Sequence, residues 1–437
     1  MGKIKLSPSH KVLIALAVVG WFSFSLFSGL RYNQKRPLND FHRELKADKA
    51  GYNVLLPALF IYHFDGRNMP DSIESITGHG FQVNRSNGII STKYPYGVAL
   101  LQLPFWHVAH QQAIIRDGYS SVEYYHAIDW AASFYFALGL FLLYLFSCFY
   151  YENPRIPFVF SFVVLPLGTN LLYYATADGG MSHIYSFFTI SGFLFFYKRH
   201  LNKNYLKDFV ISILFFSLAL AIRPVNIIFI WVLLFLDTNT ILTFKNRCQE
   251  LLGIKKLLVI TLTIFLFLLP QLIYNYYVTE AITMSLYNDE TFINFFAKKS
   301  LEVLFAPKNG IILYVPAFTF VVIGSIIYLK QKSYFGFAAS YIIVIYIVFY
   351  GSWWSYYLGC GYGHRGLIDF YPLLSLPLMN VFSTIEKRKK TLILAGLVLL
   401  LFMLITTTMA KEYDCCFYGS SDWDWSYYGT KLLNVFR

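Results

Sequence analysis

Charge is scarce in this chain. Only 14% of its 437 residues are Asp, Glu, Lys or Arg, against about 25% in an ordinary soluble protein. That deficit excludes a soluble globular domain of this length. Cysteine is scarce too. Cys148, Cys248, Cys360, Cys415 and Cys416 are the five, and none of their spacings suits a zinc site or a CxxC redox centre. A Walker A sequence is missing. The glycine-rich stretch near residue 360 follows no strand, which excludes a dinucleotide-binding fingerprint. Internal repeats and low-complexity linkers are missing, as are the short alternating strands of a membrane barrel.

What is abundant is apolar. Hydrophobic residues make up 57% of the chain, and mean hydropathy is +0.50. Apolar runs lie near 11–30, 126–150, 156–175, 182–197, 208–222, 225–237, 257–277, 310–329, 335–351, 367–383 and 391–409. By length these predict an all-α polytopic membrane protein with about eleven transmembrane helices. The first run is long for a signal peptide, and no small-residue cleavage site follows it. It is expected to persist as the first span.

Charge then sets sidedness. The run 96–115 is ambiguous. If it does not cross, Lys11, Arg155, Lys198, Arg199, Lys203, Lys207, Lys245, Arg247, Lys255, Lys256, Lys330 and Lys387–Lys390 fall on one side, the cytoplasmic one. If it crosses, the rule fails. The segment is therefore read as re-entrant or interfacial. The expected plan is a membrane unit over 1–409, a cytoplasmic N-terminus, a long periplasmic loop over 31–125 and a short periplasmic tail over 410–437. The net charge of +12 belongs to these loops rather than to nucleic-acid binding. Cys360 and the Cys415–Cys416 pair would share the outer side, so a bridge between them and free thiols are both open. The 35 Tyr and 43 Phe read first as interfacial belts, and in the outer loops also as surface for stacking sugars.

The outer segments carry the candidate chemistry. "NDFHRELKADKAGYNVLLPALF" offers Asp40, Glu44 and Asp48 at a spacing of four, which a helix would place on one face among Arg43, Lys46 and Lys49. They form either a solvated charged linker or a carboxylate base beside cations that hold a phosphate. Tyr52–Phe64 is too short to span and is expected to lie in the interface. Lys93, Tyr94 and Tyr96 precede a segment with His107 and His110, whose spacing is a weak metal signal. Asp178, Ser182 and His183 share a Gly-rich turn without a nucleophile elbow. Arg223, at an outer boundary, either meets an anionic headgroup or snorkels. Lys308 sits in a similar turn. "WWSYYLGCGYGHRGLIDF" is the densest stretch, with Trp353, Trp354, His364, Arg365 and Asp369 at the entry to a span.

In order along the chain, "GYNVLLPALF", "KYPYGVALLQLPF", "ATADGGMSH", "IRPVN", "PKNGIILYVP" and "GYGHRGLIDFYPLL" resemble the GT-C membrane glycosyltransferases. The likeness covers most of residues 10–410 and extends to the phage-borne serotype-converting O-antigen glucosyltransferases of enteric bacteria. It implies an inner-membrane enzyme with a GT-C-like bundle. Such an enzyme moves a hexose, glucose first, from undecaprenyl phosphate to lipid-linked O-antigen lipopolysaccharide on the periplasmic face, with inversion. Asp48 would be the base, with Glu44 and Asp40 as alternatives. Arg223, Arg365, Lys93 and Lys308 would hold the donor phosphate. His364, Asp369, Tyr94, Tyr96, Asp178, His183, Trp353 and Trp354 would contact sugars. A cofactor is not required, and a divalent metal is not indicated. The chain departs from the family in spreading its acidic residues, which are often closely paired. The rival readings are a secondary transporter or flippase of lipid-linked sugars, and an O-antigen polymerase or ligase.

Overall fold

The computed structural model describes residues 7–436 except 38, 39, 41, 284, 285, 287–289, 294–297, 332, 333 and 414–420. Each apolar run becomes helix. Ser7 caps the first, Pro8–Gln34, by accepting a hydrogen bond from the His10 N–H, and Pro8 occupies its first turn. Five helices among the described residues are long and apolar enough to cross a membrane: Pro8–Gln34, Val122–Ser147, Ile254–Thr279, Arg365–Ile385 and Lys389–Glu412. That is fewer than the eleven spans expected. Arg155–Gly168, Pro224–Phe235, Phe318–Lys330 and Ala338–Ser352 are apolar but short, and two further helices, Ser182–Lys203 and Leu206–Ile222, complete the set.

The helices sort by what surrounds them. Val122–Ser147 and Ser182–Lys203 are buried along most of their length and pack on each other. Pro8–Gln34, Ile254–Thr279 and Lys389–Glu412 instead turn rows of Leu and Phe outward, such as Leu16 and Phe27, Leu262 and Phe265, Leu394 and Leu397. An outer surface of this kind suits hydrocarbon rather than water. This is a membrane protein of all-α class. Helices approach closely where side chains are smallest. A Cβ on Gly324 would lie 1.9 Å from the Pro377 carbonyl oxygen, and one on Gly97 would lie 2.5 Å from the Ala221 carbonyl carbon.

The 31–125 loop is a folded cap. It contains two short helices, Asp48–Asn53 and Leu55–Phe60, a small hairpin pairing Gln82–Val83 with Ile90–Ser91, and the 16-residue helix Gly97–Gln112. At 1.5 Å per residue that last helix is about 24 Å long. It packs on Val122–Ser147 and on the cap's own short helices. Two expectations fail here. Residues 42–47 are turns and bends, so Asp40, Glu44 and Asp48 do not share a helical face. Tyr52–Phe64 is a broken helix with Tyr52 and Val54 to Ala58 buried, and Leu59 and Phe60 turn outward. His63 is exposed as well, but the segment is core of the cap more than a surface helix.

The cap sits on the Ser182 end of the Ser182–Lys203 helix, whose 22 residues carry Lys203 about 33 Å away. Cysteines placed at Ser86 and Lys203, in a chain lacking Cys148 and Cys248, should therefore react with a membrane-impermeant maleimide from opposite sides. Labelling of both from one side of sealed vesicles would overturn this arrangement.

Candidate functional site

A strained turn brings the acidic segment into place. Leu45 and Ala47 have positive φ, 63° and 46°, a conformation costing roughly 1–3 kcal/mol per non-glycine residue. The turn sends Glu44 inward and leaves Asp48 at the start of a short helix, facing a cavity of 140 Å³. His42, Lys46, Lys49, Tyr173, Asp178, Met181, Gly359, Cys360, Arg365 and Tyr413 line the rest.

Two guanidinium–carboxylate pairs meet here. Arg365 donates from Nη2 to Asp48 Oδ2 at 3.1 Å. Arg223, with extended backbone at the break between Leu206–Ile222 and the following 3-10 turn, pairs with Asp369. His183 joins the second pair, with its Nδ1 3.0 Å from Arg223 Nη1 and 3.3 Å from Asp369 Oδ1. Tyr52 lies between the two cations. Both act electrostatically on its hydroxyl, which donates to Ser182 Oγ at 3.0 Å, and its ring lies 4.3 Å from that of Tyr94. Asp369 is wholly buried, whereas the Asp48 side chain is 36% exposed. Burial opposes ionisation of Asp48, but Arg365, the Tyr94 hydroxyl and Lys93 outweigh it and hold the carboxyl below the usual range.

A third pair staples the cap to the bundle. Lys49 Nζ lies 3.0 Å from Asp178 Oδ1 and 3.9 Å from Glu44 Oε2. Gly180 donates its N–H to Glu44 Oε2 at 2.7 Å. Its missing side chain matters, since a Cβ there would sit 2.5 Å from that oxygen and 2.9 Å from Lys49 Cβ. Glu44 is completely buried. Burial pushes its carboxyl up to about 7 against the opposing pull of Lys49.

Several expected residues lie elsewhere. Asp40 pairs with Arg36 and caps the His42 N–H at the edge of the cap, so it is remote from the Arg pairs. Lys308 lies over the Tyr357 ring and 3.8 Å from Asp422, tying down the tail rather than facing the cavity. Lys93 pairs with Glu290, although its charge still reaches Asp48. Tyr96 donates to the Phe267 carbonyl. His364 is locked between the Tyr346 hydroxyl at 2.5 Å and the Tyr356 carbonyl at 2.7 Å, a structural place. Trp353 packs on Phe349 and Phe292, and Trp354 is exposed. Ser182 bonds to Tyr52 and His183 to the Arg223–Asp369 pair, which leaves no hydrolase triad. His110 stacks on Trp106, and His107 is exposed. Among the described residues no group of three or more His, Cys, Asp or Glu suits a metal. Cys360 is disulfide-bonded, whereas Cys148 and Cys248 are free. Cys415 and Cys416 fall outside the described residues.

Sequence reasoning missed Tyr52, the Lys49 staple and His42. A buried Tyr inside an apolar run gives no signal. His42 was legible only as one more polar residue of the segment. Burial and Arg36 hold its imidazole below the ordinary value, which keeps it neutral at pH 7. Comparison with family models and with curated proteins returned no match.

Glu44 makes stability depend on pH. Its pKa is raised on folding, so its contribution is complete below about 4.5 and is lost as pH rises through about 7. The loss is at most on the order of 3 kcal/mol. Glu44→Gln should flatten the fall in thermal stability between pH 4.5 and 7. An unchanged slope in the variant would exclude Glu44 as its source.

Proposed function

We propose that this protein is an inverting glycosyltransferase that moves a hexose from a polyprenyl phosphate to a hydroxyl of a lipid-linked polysaccharide at the outer face of a bacterial inner membrane. In this reading the short apolar helices join the five long ones in a GT-C-like bundle of eleven spans. The observation that carries it is Asp48. It is a carboxylate open to a cleft, on a short helix of the cap, held by one buried guanidinium with a second nearby.

The chemistry follows from that set. The donor is a phosphodiester with a single negative charge, and its phosphate gains a second when the anomeric C–O bond breaks. Arg365 and Arg223 are fixed donors for that developing charge. Asp48 removes the proton of the acceptor hydroxyl as its oxygen bonds to the anomeric carbon from the opposite face. One base and one displacement invert the centre, and no covalent sugar–enzyme intermediate is needed. Tyr173 offers a ring face at the cavity wall, with Asp178 and His42 as hydrogen-bonding partners for the sugar.

Arg365 then has two tasks. In the empty cleft it keeps Asp48 ionised and weakly basic. A phosphate arriving at Arg365 draws the guanidinium away from the carboxylate, which raises the basicity of Asp48 when an acceptor is to be deprotonated.

Two outcomes test this. Asp48→Asn should lower transfer of labelled hexose by about 10²–10⁴-fold while donor binding persists, and Lys308→Ala should leave transfer near the native rate. Full activity in the Asp48 variant would exclude it as the base. The acid limb of kcat, read with donor saturating, should lie at higher pH than that of kcat/KM. Coincident limbs would exclude the exchange at Arg365.

A further inference from the structure

A second cavity lies at the other end of the molecule. It has a volume of 410 Å³ and is lined by Tyr150, Tyr151, Glu152, Asn153, Ile156, Tyr328, Asn380, Ser383 and Glu386. Asn380 and Glu386 are at the far end of the Arg365–Ile385 helix. At 1.5 Å per residue they lie about 22 Å and about 31 Å along the helix from Arg365, so the cavity is separate from the Asp48 cleft.

Most of its polar groups are already committed. Tyr150 donates to Asp237 Oδ1 at 3.0 Å, and the Tyr151 hydroxyl donates to the Leu376 carbonyl at 3.2 Å and bonds with Tyr328. Asn153 Oδ1 accepts the Arg155 N–H, and Ser383 donates to the Asn380 carbonyl. Three groups are left over. Asn380 is 8% exposed, yet its side-chain amide nitrogen has no hydrogen-bond partner. Buried amide donors are paired in the great majority of proteins, because an orphan costs about 1–3 kcal/mol. Glu152 and Glu386 are exposed at the rim and make no ion pair among the described residues. Lys387, Arg388, Lys389 and Lys390 follow Glu386 directly in the chain.

We propose that this cavity binds a small ligand bearing a primary ammonium group and an oxygen acceptor, the pattern of an ethanolamine phosphate. The ammonium has three donors for the Glu152 and Glu386 carboxylates and a cation for the tyrosine ring faces. It has no lone pair for Asn380, so the ligand's oxygen meets the buried amide. An anion alone would be repelled at the rim, and a bare cation would leave the amide unpaired. The same unit exists as a free metabolite and as a phospholipid headgroup, and a cavity among helix ends near a bilayer surface is accessible to both.

The test uses the full chain, purified in detergent and placed in nanodiscs. Phosphatidylethanolamine and phosphatidylcholine share a phosphate, but only the first carries N–H donors. Native mass spectrometry should show retention of phosphatidylethanolamine over phosphatidylcholine by about tenfold or more, a charge-assisted hydrogen-bond effect. Glu152→Gln with Glu386→Gln should abolish that preference, as should Asn380→Leu. The rim variants are exposed and keep the test usable if Asn380→Leu fails to fold. Titration with soluble O-phosphoethanolamine separates the sources. Saturable binding that the rim variants abolish supports a free ligand, and selective lipid retention without it supports the headgroup. Equal retention of both lipids with no soluble binding, or a preference untouched by the rim variants, would overturn the proposal.

Discussion

Two guanidinium–carboxylate pairs organise the capped end of this protein, and each joins segments far apart in the sequence. Arg223 and Asp369 pair beneath the cleft, with His183 as the third member. Removing one side of such a buried pair costs roughly 3–5 kcal/mol, because the other charge is left unpaired. Arg365 and Asp48 are different. Their contact is partly open to solvent, so its worth lies less in stability than in holding two reactive groups at the cavity wall. The buried pair fixes the frame, and the open pair faces the cavity.

The cap is fitted to that frame at some energetic cost. Left-handed backbone at Leu45 and Ala47 is needed to point Glu44 at the Gly180 turn while Asp48 faces the cavity. The strain is borne because Glu44, Lys49 and Asp178 lock the turn from both sides. A regular helix through residues 40–48 would satisfy local propensity. It would put all three carboxylates on one face and leave the Lys49 staple unmade.

This explains what was readable in advance. Long apolar runs report burial in a low-dielectric environment, so every one of them is helix, and the apolar faces of Leu16, Phe265 and Leu397 agree with a lipid-facing role. Arg223, Arg365, Asp369 and Asp48 were legible because charge at a membrane boundary needs a partner. Which charge meets which was not legible, since pairing depends on tertiary approach across hundreds of residues. The spacing of four misled because periodicity assumes a helix, and two non-glycine residues in a left-handed turn are invisible to it. Lys308 and His364 have the right residue types in the right neighbourhood. Their hydrogen bonds are spent on the tail and on Tyr346.

The sequence separation within the cleft carries a consequence for biosynthesis. Asp48 and Arg365 are 317 residues apart, and Asp369 follows Arg223 by 146. A chain inserted from its N-terminus exposes the cap long before the helix that carries Arg365 has been made. Until then Asp48 lacks its guanidinium partner, and Arg223 lacks the Asp369 carboxylate. The cleft therefore closes last, when almost the whole polypeptide is in place. A truncated or stalled product would hold every residue of the cap and still lack the Arg365–Asp48 contact, so the order of synthesis itself delays assembly of the cleft until the helix carrying Arg365 is made.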